Sequence, residues 1–232
     1  MTSIQVIPKS FSVINKELIS ASLPVLSPKD PVYRALQLMD DCHVSQLPIV
    51  DDEKYIGLLS EADLLNAADD NLLLETLTPL ISKIRVSPNN HFTEAIQLAN
   101  EYGLDIVPVT ETDLTWVGAI AASDLLKYTG HMIGADEPGG IIVLEMEKRD
   151  FAFSEIYKLV ETNDAQITQL NTYYDNNLGL LFVTMKLNKF ELSDIVATFQ
   201  RYEYQVRYYF GEEQYENELR NNYDHLMNYL NL

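Results

Sequence analysis

The chain has 232 residues, 47% hydrophobic and 22% charged, with a formal net charge of −19. These proportions are those of a folded globular protein and exclude a disordered one. The acidity is spread evenly, 8 basic against 18 acidic residues in 1–135 and 8 against 17 in 136–232, so no basic patch emerges. A nucleic-acid backbone or an anionic membrane is therefore disfavoured as partner. No apolar run approaches the roughly 18 to 20 residues that span a bilayer. The start, Met1 to Lys9, lacks the basic-then-apolar order of a secretory signal, so a cytoplasmic location is expected. The single cysteine, Cys42, excludes an internal disulfide framework; three residues after Met39, it is expected as a buried structural thiol.

In chain order, Asp30-Pro31 offers an N-cap and a first-turn proline. Val32, Ala35, Leu36 and Met39 follow at helical spacing. Val44 to Val50 reads as a strand in which Pro48 marks an edge position or a strand end. Asp51 to Lys54 is a polar hairpin turn, Tyr55 to Leu59 a second strand, and Ser60 the cap of a helix that opens Glu61-Ala62-Asp63.

The same order then recurs. Leu26 to Ala35 is echoed by Val86 to Ala95, and Leu47-Pro48-Ile49 by Val107-Pro108-Val109, 60 residues on. After one inserted residue, Gly57 matches Gly118 and Asp63-Leu64-Leu65 matches Asp124-Leu125-Leu126. Phe92, Ala95, Ile96 and Ala99 form the second helix; Leu104 to Val109 and Trp116 to Ile120 form its strands. Ser123-Asp124 opens its closing helix. Two copies too small to bury separate cores imply a packed pair with a cleft between them.

This order and these residues resemble the CBS domain, the cystathionine-β-synthase-type regulatory module that occurs in tandem. The family pattern is a helix with a central alanine, a hydrophobic-Pro-Val strand, an acidic turn, a hydrophobic-Gly strand and Ser/Thr-x-x-Asp. The first copy meets it with Ala35, Pro48, Gly57, Ser60 and Asp63, and the second with Ala95, Pro108, Gly118 and Asp124; Ala121 stands where the hydroxyl residue belongs. The resemblance implies a pseudo-twofold disc whose clefts bind adenosine-containing ligands. Asp63 would accept both ribose hydroxyls, and Ser60 with the first amides of its helix would receive a phosphate. Gly57 would admit close backbone approach, and the strand around Pro48 would wall a purine. The second cleft, with Asp124, Gly118 and Pro108 but no hydroxyl, is the weaker site. On a merely structural view, Asp63 and Asp124 only favour helix starts.

AMP, ADP, ATP and S-adenosylmethionine are the regulatory ligands this implies. A triphosphate brings about four negative charges to an acidic protein. The cations near at hand are Arg34, Lys54, Lys83 and Arg85, and without them or Mg²⁺ an AMP or an uncharged adenosyl compound fits better. The histidines, His43, His91, His131 and His225, fall in different elements, and no metal site is expected.

Asp136 to Gly140 is a Pro-Gly-Gly break. After it come a strand at 141–147, a helix at 154–160 with Ser154 as cap, and a strand at 165–173. A strand at 179–187, a helix at 191–202 and a strand at 206–210 complete the order. This βαββαβ order is the ferredoxin-like plan, two helices on one face of a four-stranded antiparallel sheet. It resembles ACT domains, with Arg149-Asp150 at the end of the first strand. The following Phe151-Ala152-Phe153 has no glycine, so amino-acid binding is not carried over and pairing with another copy is expected instead. From Glu212 to the last residue, Tyr215, Leu219, Tyr223, Leu226 and Leu230 predict a helix.

The expected organisation is thus an α/β (α+β) chain: a tandem pair at 1–135 (copies at about 16–75 and 76–132), a linker at 136–140, an ACT-like domain at 141–211 and a helix at 212–232. A CBS pair followed by an ACT-like domain resembles bacterial regulatory proteins of the acetoin-utilisation type. It implies a homodimeric, non-catalytic sensor of an adenosine nucleotide, with room for a protein partner the sequence does not name. The alternative is a structural interaction module with unoccupied clefts.

Overall fold

The computed structural model describes residues 13–21, 23–67, 69–77 and 82–211, together with the backbone of 78–80. The helix expected at 212–232 lies outside the described residues. The chain divides into two compact units, Met1–Thr129 and Gly130–Leu232.

In the first unit α1 (Val32–Cys42) buries Val32, Ala35 and Met39 along one face, as the spacing predicts. Asp30 does not cap it. The Asp30 carboxylate accepts instead from the Ser27 amide at 2.8 Å and closes the preceding turn, while Pro31, which has no side-chain oxygen, occupies the capping position. Cys42 is exposed, contrary to expectation. The helix ends at His43, which turns left-handed at φ 54°, so Cys42 sits on the last turn, beyond the stretch of the apolar face that the core covers.

Strands β1 (Gln46–Asp51) and β2 (Lys54–Ser60) form an antiparallel hairpin. Its two-residue turn places Asp52 and Glu53 at φ 42° and 67°, the conformation that matches strand twist in tight hairpins. Pro48 lies inside β1, opposite Leu58. Leu58 spends both its backbone groups on Ser82, so this pair needs no hydrogen bond and the proline sits there without loss. A short third strand is present as a single parallel bridge, Leu26 to Ile49. The closing helix α2 (Glu61–Leu65) is only five residues long.

The second copy repeats the order of elements with α3 (Thr93–Tyr102), β3 (Ile106–Thr110), β4 (Trp116–Ala121) and α4 (Ala122–Met132), but with a longer hairpin turn and a closing helix of 11 residues. The register shifts at Ile49/Val50 and at Val109/Thr110, the same place in both hairpins, and Val86 bridges Val109 as Leu26 bridges Ile49. The copies are tied together: one core cluster joins Leu26, Val32, Ala35, Met39, Leu47 and Leu59 to Ile106 and Ala119. At the hairpin tips the Trp116 amide donates to Glu53 O at 2.7 Å, the Tyr55 amide to Leu114 O at 2.8 Å, and the two rings stack at 5.9 Å.

The second unit contains β5 (Ile141–Met146), α5 (Phe153–Glu161), β6 (Ile167–Asp175), β7 (Leu180–Leu187), α6 (Ser193–Arg201) and β8 (Gln205–Phe210). The sheet order is β6-β7-β5-β8, every pair antiparallel, as the ferredoxin-like plan requires. Ile142 and Leu144, Val183 and Met185 face α5 and α6, whose Ile156, Val160, Ile195 and Phe199 complete the core. Ser154 lies within α5 and does not cap it; Ala152 holds the cap position with no side-chain bond.

Candidate functional site

One hairpin and one helical turn position the first candidate site. Gly57, buried, stands opposite Ile49 on β2, Pro48 is buried beside it on β1, and β2 ends at Ser60. Ser60 caps α2 as expected: its Oγ accepts from the Asp63 amide at 3.2 Å and donates to Asp63 Oδ2 at 2.5 Å. Ser60 and Asp63 are both half-buried. Two of the amides expected to await a phosphate are taken, however: the Glu61 amide donates to Ser45 O at 2.8 Å and that of Asp63 to Ser60 Oγ at 3.2 Å. The start of the second copy lines this hairpin. Ser82 pairs with Leu58, and the buried Tyr55 phenol donates to Ile84 O at 2.7 Å. Burial pushes the Tyr55 phenol well above the usual range, partly offset by the Arg85 charge.

Three of the four cations read from the sequence are engaged. Arg34 pairs with Asp30 at 3.4 Å, Lys54 with Asp113 at 2.8 Å, and Arg85 donates to Thr110 at 3.3 Å, while Lys83 is exposed.

At the second candidate site Pro108 and Gly118 are likewise buried, and Asp124 is half-buried. Gly118 does allow a close approach, but by the chain itself: a Cβ there would meet Ile19 Cγ2 at 2.5 Å. The hydroxyl missing at Ala121 is supplied by Ser20, whose Oγ accepts from the Ala121 amide at 3.1 Å and donates to Asp124 Oδ2 at 2.6 Å. Lys127 holds Asp124 Oδ1 at 2.8 Å. Sequence reasoning missed Ser20. A signal was there, because Leu18-Ile19-Ser20 and Leu80-Ile81-Ser82 are the same three residues near the start of each copy.

The second unit holds a groove of about 810 Å³ lined by Glu145, Arg149, Asp150, Glu155, Lys158 and Tyr204, among others. Arg149 is paired with Glu147 and Asp150, and Tyr204 donates to Glu155 at 3.2 Å. Among the described residues no three His, Cys, Asp or Glu side chains gather so as to hold a metal ion, and no helix is long and apolar enough to cross a membrane.

Residues 16–70 match the family model described as the CBS domain. The match covers the first copy, and the second copy repeats its strand pairing and register shift. The chain is 22% identical over 153 residues to an inosine-5'-monophosphate dehydrogenase of Korarchaeum cryptofilum, covering 66% of the chain and 32% of that protein. It spans about a third of the length of such curated relatives. Among solved structures it is similar to a CBS domain pair/ACT domain protein from Thermotoga maritima, with 19% identity, 52% of this chain and 98% of that one covered, and a TM-score of 0.47. It is also similar to CBSX2 in complex with AMP, with 21% identity, 52% and 98% coverage, and a TM-score of 0.43.

Proposed function

We propose that the chain is a non-catalytic sensor that takes an adenosine-containing ligand in the cleft at Ser60 and Asp63. The observation that carries this reading is the Ser60–Asp63 pair at the end of β2, inside the segment that matches the CBS domain. A half-buried carboxylate that, among the described residues, receives a rotatable hydroxyl is suited to a vicinal diol. On binding, Ser60 turns its proton outward, and the ribose hydroxyls replace it on Asp63. Because Arg34 and Lys54 are paired with carboxylates and the chain is strongly acidic, a monophosphate or an uncharged adenosyl compound suits the site better than a triphosphate. The ferredoxin-like unit serves as an ACT-like readout or as the contact between two copies of the chain.

The second reading is an interaction module with unused clefts. The burial of Pro48 and Pro108 favours it, since neither ring offers a purine an open wall. Thermal unfolding with AMP, ADP, ATP and S-adenosylmethionine separates the two. A ligand at 100 times its Kd adds about 2.7 kcal/mol to the stability of the unit that binds it. AMP is expected to raise the transition of the intact chain and to leave that of Asp63→Ala unmoved. No shift with any of the four compounds would leave the interaction module standing.

A further inference from the structure

The two clefts each end in a carboxylate that receives a serine hydroxyl, but the serines come from different parts of the chain. Ser60 lies on the same turn as Asp63. Ser20 lies 104 residues before Asp124 and reaches it from the start of the first copy, ahead of α1. The bonding is alike in kind but not in partner: each Oγ donates to the aspartate Oδ2, while Ser60 accepts the amide of Asp63 itself and Ser20 that of Ala121, three residues before Asp124.

What differs is how freely each serine can let go. Ser60 needs only a rotation about its Cα–Cβ or Cβ–Oγ bond. Ser20 is carried on a leader wired into the second copy. Its amide donates to Ala119 O at 2.9 Å, the Asn15 amide to Asn90 O at 3.0 Å and the Lys16 amide to Pro88 O at 2.9 Å. Leu18 is 2% exposed, and Ile19 fills the space that a side chain at Gly118 would take. Ser82 occupies the equivalent backbone position against Leu58, yet among the described residues no hydrogen bond ties its hydroxyl to Asp63. Asp63 thus has a local, rotatable partner, whereas Asp124 is held on Oδ2 by a fixed leader and on Oδ1 by Lys127.

We propose that the leader segment 15–20 is a built-in occupant of the second cleft: the Ser20 hydroxyl takes the place of a ligand hydroxyl on Asp124, so that each chain binds one adenosine-type ligand, at Asp63. The proposal rests on the ligand reading of the first cleft and adds its stoichiometry and the reason for it. A ligand diol arriving at Asp124 would have to displace a hydroxyl that the anchored leader cannot turn away, whereas Ser60 has only to rotate.

The test is isothermal titration of the full chain with AMP, with native mass spectrometry counting bound AMP at saturation. The wild type is expected to bind one AMP and Asp63→Ala none. Ser20→Ala is expected to bind two, and the Ser20→Ala/Asp63→Ala double variant one, while Ser20→Thr keeps the wild-type count. Two AMP on the wild-type chain overturns the proposal whether or not any variant folds. A Ser20→Ala chain that is folded by circular dichroism and still binds one overturns it as well. AMP bound by no variant overturns the ligand reading itself, an outcome distinct from either of these.

Discussion

Ser45 and Asp105 hold the same position in the two copies and are bonded to each other: the Ser45 amide and hydroxyl both reach Asp105 Oδ2, at 2.8 and 2.5 Å. Their own carbonyls receive the first amide of each closing helix, Glu61 on Ser45 and Ala122 on Asp105, both at 2.8 Å. The pair therefore joins the copies and sets where both helices begin. Asp105→Ala removes two hydrogen bonds to a charged acceptor in an exposed setting and is expected to destabilise the first unit by about 1–2 kcal/mol. Trp116, the one tryptophan, lies in β4, so urea unfolding followed by its fluorescence reports this unit. An unchanged midpoint would show that the contact contributes nothing.

A second tie joins the hairpin tips. Lys54 donates to Asp113 and Thr115, both at 2.8 Å. The Lys54 hydrogen bond, aided by the Thr115 amide and hydroxyl, holds the Asp113 carboxyl well below the usual carboxylate range. A group depressed in the folded state adds stability above its unfolded pKa and loses it as pH falls through the folded one. Wild type is therefore expected to lose more stability than Lys54→Met as pH drops below about 4. Parallel acid titrations of the urea midpoint check this, and equal slopes would contradict it.

His43 and Gly103 end the corresponding helices α1 and α3, both left-handed, at φ 54° and 61°. A side chain costs about 1 kcal/mol in that region. His43→Gly is expected to stabilise and Gly103→Ala to destabilise by about that amount, less the glycine's larger unfolded-state entropy in the first case. A Cβ at Gly103 meets nothing within 4 Å, so the second effect is purely one of backbone. Midpoints moving in the same direction for both would refute it.

Gly118→Ala tests the packing of the leader. Its new methyl would lie 2.5 Å from Ile19 Cγ2, so either Ile19 or β4 must move. Overpacking of this kind costs about 1–3 kcal/mol. Gly118→Ala/Ile19→Ala is expected to recover part of that loss in the same fluorescence assay; no recovery would place the strain elsewhere.

Much of this was legible because it is local. The hairpins, their turns, the Ser60 cap and the second unit's strand order follow from alternation, turn residues and a hydroxyl placed before an acidic helix start. The misreadings have one physical origin, in that a cap or a burial depends on what lies opposite. Asp30 reads as a cap, yet its carboxylate finds the Ser27 amide nearer. Cys42 reads as buried from its spacing, but the helix ends before the core reaches it. Ser20 meets Asp124 only once the leader of one copy is packed on the other, so pattern reading confined to each copy cannot find it; the repeated Leu-Ile-Ser could have.

The central claim, that an adenosine-type ligand is held by Asp63 while Ser20 keeps Asp124, is tested most directly by a crystal structure of the chain grown with AMP. Ribose hydroxyls are expected within hydrogen-bond distance of Asp63, with the Ser20–Asp124 contact intact. AMP seated on Asp124 with the leader displaced, or in the groove of the second unit with Asp63 still bonded to Ser60, would contradict it.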